Sequence, residues 1–193
     1  MSNKAFTGNF LLIATTWFVA SSSLGAPSTL ELERSLNGCW SGVLNYVDAQ
    51  SNQDYNFPLF TQIQSIDDGH TFLRKTKFYE GPKRGVVYLT TLTMFNLDGD
   101  QVESTGYRLG HGAETAKSVL TLSSFKDITH WSETYSTQMN DGGSVADIQV
   151  TVARDSAELK TVKLIRMPNN ALEQWRVFSS IIVSYQSECH AEF

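Results

Sequence analysis

The feature that most constrains this chain is a repeated pattern. From Cys39 to the C-terminus, runs of about ten residues that alternate apolar and polar side chains are separated by short gaps, most of them two to four residues, rich in turn-forming types. Trp40, Gly42, Leu44 and Tyr46 set the alternation in the first run, and a period of two places every second side chain on one face of a strand. Further runs follow at 56–66, 71–80, 85–96, 101–109, 117–126, 129–139, 144–154, 158–166 and 173–185. The gaps hold Asp67-Asp68-Gly69, Gly81-Pro82, Leu97-Asp98-Gly99-Asp100, Gly110-His111-Gly112, Asn140-Asp141-Gly142-Gly143, Asp155-Ser156 and Pro168-Asn169-Asn170, which are turn chemistries. Gaps that short leave no room for a crossover helix, so consecutive strands must be antiparallel neighbours. An open meander of about ten strands would leave two unpaired edges, and closure removes both. The expected fold is all-β: an antiparallel up-and-down barrel of about 8–10 strands. A two-sheet sandwich is the alternative, and the short sequential turns favour the barrel.

Two segments precede the strands. Lys4, the uncharged run from Phe10 to Ala20 and the small residues Ser21, Ser22, Ser23, Leu24, Gly25 and Ala26 have the layout of a secretory signal peptide. The apolar run is shorter than a membrane-spanning helix requires. Residues 1–25 therefore read as a leader cleaved before Ala26, with an uncleaved anchor as the alternative, and residues 26–193 as one barrel domain. The next segment is a short helix. Ser28 and Glu31 have the spacing of a capping box, Leu32 and Leu36 share a face, and Asn37-Gly38 supply a stop. The expected location is periplasmic or secreted.

Charge narrows the partners. The net charge is −5, and loss of the leader, whose only charged residue is Lys4, makes it −6. No Lys/Arg cluster is present, so the sequence points away from nucleic acid and anionic membrane surfaces and toward a neutral, apolar or cationic molecule, with a small, largely apolar one the expected partner. The mature chain carries no integral membrane helix in this reading.

Gly38-Cys39-Trp40, at the start of the first strand and just after a short helix, resembles the Gly-x-Trp motif of the lipocalins and the wider calycin barrels. Trp40-Ser41-Gly42-Val43-Leu44-Asn45-Tyr46-Val47-Asp48, with Glu80-Gly81-Pro82 and Trp131 to Tyr135, is also similar to a bacterial lipocalin-like group of unassigned activity. The resemblance implies a barrel whose floor is sealed by Gly38 and Trp40. Lipocalins usually pack an Arg from the end of the last strand on that Trp. Here that strand ends Ser184-Tyr185-Gln186-Ser187-Glu188-Cys189, and Arg166 and Arg176 lie elsewhere.

Cys39 opens the first strand and Cys189 follows the last. With an even number of up-and-down strands these ends meet at the closure seam, so a Cys39–Cys189 disulfide is expected, with two separate buried thiols as the alternative. Tyr46, Tyr88, Tyr107, Trp131, Glu133 and Tyr135 are the candidate ligand-binding residues. They read as inward-facing groups that either line an apolar pocket or fill a dry barrel. Glu133 is the sharpest of them, because a carboxylate on an aromatic face must be paired, protonated or solvated. An enzyme using Glu133 and neighbouring Tyr residues as acid/base groups at the barrel mouth is one alternative function, and a packed-barrel interaction module is another. No catalytic residues, cofactor or metal are assigned. His70, His111, His130 and His190 show no ligand spacing, and none is placed to hold a haem. No nucleophile motif occurs.

Overall fold

Ten strands in sequence order pair side by side until the last meets the first. In the computed structural model, which describes residues 27–47, 53–141, 144–167 and 174–189, the hydrogen-bonded order is β1-β10-β9-β8-β7-β6-β5-β4-β3-β2 around a closed barrel. The strands are β1 Gly38–Val47, β2 Asp54–Ser65, β3 Thr71–Tyr79, β4 Val86–Phe95, β5 Gln101–Arg108, β6 Glu114–Asp127, β7 His130–Asp141, β8 Ser144–Asp155, β9 Glu158–Arg166 and β10 Arg176–Gln186. Every pairing is antiparallel, as the turn-length gaps require. The expected leader and its cleavage site lie outside the described residues. Among those residues no helix is long and apolar enough to cross a membrane.

The closure seam depends on a glycine. β1 and β10 run from Cys39↔Gln186 to Tyr46↔Ser179, and a Cβ on Gly42 would collide with the Ile182 carbonyl of the partner strand. Any larger residue there would push the first and last strands apart. Cys39 and Cys189 are disulfide-bonded with their Cα atoms 5.3 Å apart, at the end of the barrel where β1 begins and β10 finishes.

The helix α1, Thr29–Arg34, closes that same end. Ser28 and Glu31 form the expected capping box. Thr29 Oγ1 donates to the Gly99 carbonyl and Arg34 Nη2 to the Gly69 carbonyl, each at 2.6 Å, so the helix is tied to the β4–β5 and β2–β3 turns. Its apolar side chains enter the barrel. Leu32 and Leu36 join Trp40, Leu59, Ile63, Phe78, Trp131, Val152, Leu159 and Val183 in one core cluster, and Leu30 joins Phe72, Phe95, Val102 and Leu120 in a second. This end is packed. Above it Leu44, Phe57, Val87, Leu122, Tyr135, Val150 and Ile181 point inward, yet are only partly buried.

Trp40 is the floor and is fully buried. Its indole N–H donates to the Leu36 carbonyl at 2.9 Å, which fixes the ring against the helix. The Tyr185 ring meets it edge-on at 5.4 Å. The cation that covers it comes from β8: the Arg154 guanidinium lies 5.8 Å from the Trp40 ring and donates from Nη1 to the Ser35 carbonyl at 2.6 Å. Arg154 thus packs on the floor Trp and caps the helix C-terminus with one side chain.

The disulfide closes a loop that spans a sequence separation of 150 residues. Chain-entropy arithmetic for such a loop gives an upper figure of about 5 kcal/mol. Cys189→Ser should lower the melting temperature, and reductant should lower the wild type to the same value. Calorimetric scans with and without reductant check this, and coincident wild-type scans would contradict it.

Candidate functional site

A ten-stranded barrel is wider than its own side chains fill, and α1 occupies only one end. The other end holds a cavity of about 800 Å³ lined by Leu44 and Tyr46 of β1, Tyr55 and Phe57 of β2, Phe78 of β3, Phe178 of β10, and Glu80, Lys83, Arg84 and Arg108. Two hollows of about 370 Å³ lie elsewhere, on β4–β6 and around Phe60, Lys77 and Tyr88. The mouth cavity is the largest of the three and is walled by aromatic rings on the inner face. Tyr46 and Phe178 pack edge to face at 5.2 Å, Tyr55 stacks on Phe57 at 6.0 Å, and Phe57 meets Phe78 at 6.2 Å. Period two explains the assembly: Leu44 and Tyr46 continue the parity of Trp40, while Phe57 and Tyr55 continue that of Ile63 and Leu59.

The cavity's rim is charged. Glu80, at the end of β3, is held between two guanidinium groups: Arg84 Nη1 lies 3.1 Å from its Oε2 and Arg108 Nη2 lies 3.1 Å from its Oε1. The turn that carries Arg84 is closed by Glu80 N–H donating to the Gly85 carbonyl at 2.9 Å and Gly85 N–H to the Gly81 carbonyl at 2.8 Å. Arg108 also lies 5.9 Å from the Phe78 ring.

Deeper, the barrel encloses a polar cluster. The Tyr135 hydroxyl lies 2.6 Å from Glu33 Oε1 of α1 and 2.6 Å from Glu133 Oε1 of β7. A hydroxyl has one proton to donate, so one of the two carboxyls must be protonated to satisfy both contacts. Glu133 is that carboxyl. It is fully buried, and its Oε2 has no hydrogen-bond partner. Burial raises its pKa first. The nearby Glu33 carboxyl raises it further, against the opposing pull of Tyr135 and Arg74, and the result is about 10. Burial and the two carboxyl groups also hold the Tyr135 phenol well above its ordinary value, so it stays neutral. The cluster fastens α1 to the barrel wall through one retained proton.

Of the residues expected at a binding site, Tyr46 lines the cavity. Tyr135 and Glu133 form the cluster that holds α1, and Trp131 sits in the packed floor with its indole N–H on the Ile128 carbonyl at 3.1 Å. Tyr88 and Tyr107 are corrected: they lie on the outer face, 64% and 51% exposed. On β4 the inward set is Val87, Leu89 and Phe95, and on β5 it is Val102, Ser104, Gly106 and Arg108, each opposite in parity to the Tyr. Both strands carry apolar groups on both faces, so alternation alone could not fix which face turned inward. Glu133 is also removed from the mouth where an acid/base role would need it. Sequence reasoning missed Phe57, Phe78, Phe178 and Arg108. Phe57 and Phe78 carried the right periodicity, whereas Phe178 did not, since it sits at the register shift between Val177 and Ser179 and has the opposite parity to the inward Ile181 and Val183. Arg108 carried no signal, because an inward Arg looks like a solvated one.

A second cluster lies at the closed end. His130 Nδ1 is 2.8 Å from Asp127 Oδ1, and its Nε2 is 3.0 Å from Ser156 Oγ. Hydrogen bonds from His130 and Thr129 hold the Asp127 carboxyl well below the usual range. The histidine ties the β6–β7 turn to the β8–β9 turn, where Ser156 takes a left-handed conformation at φ 57°. His70 and His111 lie in turns, and His190 is outside the described residues. Among the described residues no group of three His, Cys, Asp or Glu is placed to hold a metal.

Comparison with known proteins reaches the fold. The crystal structure of Rv2717c from M. tuberculosis matches with a TM-score of 0.57 and 11% identity, over 83% of this chain and 98% of that one. No protein-family model matches, and no curated protein matches. The likeness is one of barrel architecture.

Glu133 binds a proton in the folded state up to about pH 10 but only up to about 4.5 when unfolded. Between those values the folded chain holds the extra proton, so this group makes stability fall as pH rises, with a slope approaching 1.4 kcal/mol per pH unit. Glu133→Gln supplies the same donor and acceptor without titrating. Urea unfolding from pH 5 to 9 should therefore show a shallower decline for E133Q than for wild type. Equal slopes would contradict the assignment. Tyr135→Phe strands both carboxyls and should cost about 1–3 kcal/mol.

Proposed function

We propose that this protein is an exported barrel that binds a small, largely apolar molecule in the hollow half of its interior, in the periplasm or outside the cell. The observation that carries the reading is the cavity of about 800 Å³ with aromatic walls, at the end opposite the helical plug. That volume falls within the range of small-molecule sites, and aromatic walls beside a charged rim suit a ligand whose body is apolar. The packed floor supports it, since a plug at one end makes the cavity above it a blind pocket rather than a channel. The disulfide supports an oxidising compartment, because a bond between the chain's extremes persists only where thiols are not kept reduced. The proposed leader at 1–25 agrees with that compartment.

Binding in the cavity follows from apolar surface removed from water, at about 25 cal/mol per Å². Tyr46, Tyr55, Phe57, Phe78 and Phe178 would supply most of that contact. Glu133 takes no part in contacting the ligand. The alternative of an interaction module would rest on the outer strip of Tyr88, Met94, Tyr107 and Val119. The mouth cavity favours the binding reading over it.

Leu44→Trp projects a larger ring into the cavity. Native mass spectrometry of protein recovered from its own compartment should show a copurified small molecule on wild type and little on L44W, with both variants folded. A bare wild-type mass, together with no saturable uptake of an apolar fluorescent probe, would contradict the proposal.

A further inference from the structure

We propose that the ligand of the mouth cavity is an amphiphile with an anionic oxygen head, its apolar tail among the aromatic walls and its head between Arg84 and Arg108. This rests on the reading of the cavity as a ligand site. The charges of the lining carry the step. Lys83, Arg84 and Arg108 face a single carboxylate, Glu80, in a chain whose net charge is −5. Among the described residues that line this cavity, cations thus outnumber carboxylates in a protein that is acidic overall. Such a cleft focuses positive potential on a low-dielectric interior.

The geometry suits a head group of this kind. Glu80 has a side chain only 9% exposed and meets each guanidinium through one nitrogen, Arg84 by Nη1 and Arg108 by Nη2. A guanidinium has five N–H donors in a planar fork, so neither Arg is saturated by that contact. Glu80 acts as the central post that aims both forks at one region. Arg108 reaches it from β5 with its guanidinium 5.9 Å from the Phe78 ring, which is itself a wall of the cavity. Lys163 of β9 adds a further cation, 4.8 Å from the ring of Phe178 on the opposite wall. An uncharged ligand would take water from Arg84 and Arg108, which share the one Glu80 carboxylate, without adding an acceptor, and a cationic one would be repelled. Carboxylate and phosphate heads share the required chemistry: planar or tetrahedral oxygens that accept charge-assisted hydrogen bonds from Arg.

Four ligands with one tail separate the possibilities: dodecanoate, dodecyl phosphate, dodecanol and dodecyltrimethylammonium, each titrated against the disulfide-bonded protein by displacement of an apolar fluorescent probe. At least one anion should bind about tenfold or more tighter than dodecanol, and dodecyltrimethylammonium should bind weaker than dodecanol. Whichever anion is preferred identifies the head. Arg84 has a side chain 74% exposed, so R84Q keeps the fold, and it should lower the anion-to-alcohol ratio. R108Q should lower it further, with R108K intermediate because charge remains while the fork is lost. Dodecanol matching both anions in wild type, or R84Q and R108Q retaining the full ratio, would overturn the head-group assignment while leaving the cavity reading intact. Binding of none of the four would overturn the cavity reading and this inference together.

Discussion

A ten-stranded barrel encloses more space than its inward side chains can fill, and everything distinctive here follows from how that space is divided. One short helix enters at the end where β1 begins and fills the lower half with Leu32 and Leu36 above Trp40. The helix is far too short to be stable alone, so tertiary ties must hold it. They are the hydrogen bonds from Thr29 and Arg34 to two turns, from Arg154 to its C-terminus, and the shared proton of Glu33, Glu133 and Tyr135. The half that the helix does not reach is left hollow.

This division assigns different work to groups that look alike in sequence. Glu133 and Glu80 are both inward carboxyls near aromatic rings. Glu133 has no cation in direct contact and responds by keeping its proton. Glu80 has Arg84 and Arg108 on either side and shares in an ion-pair network. The first stabilises a plug and the second arranges a rim. Burial with a like charge, or burial with opposite charges, decides which.

Much of the architecture was legible because it rests on local rules. Turn-length gaps forced antiparallel neighbours, the capping box at Ser28 and Glu31 located the helix, and an even strand count brought Cys39 beside Cys189. The inner face was legible only where one face was clearly polar. On β7 the set Trp131, Glu133 and Tyr135 was read correctly as inward. On β4 and β5 both faces carry apolar or small residues, and Tyr88 and Tyr107 proved to face out. The cavity wall also draws on five strands, so the meeting of Tyr46 with Phe178 or of Arg108 with Phe78 depends on register across the closed sheet. Nothing within one strand encodes that register. Arg154 shows the same limit: the cation on the floor Trp arrives from β8, not from the end of the last strand.

The central claim is that the interior is packed below the Tyr135 layer and open above it. The most direct test is a crystal structure of the protein soaked with an aliphatic probe carrying a terminal bromine, located by anomalous scattering. A bromine peak bounded by Leu44, Phe57, Phe78 and Phe178 is the predicted result. A peak in the floor around Trp40 and Leu36, or peaks only on the outer face of β4–β6, would contradict the account.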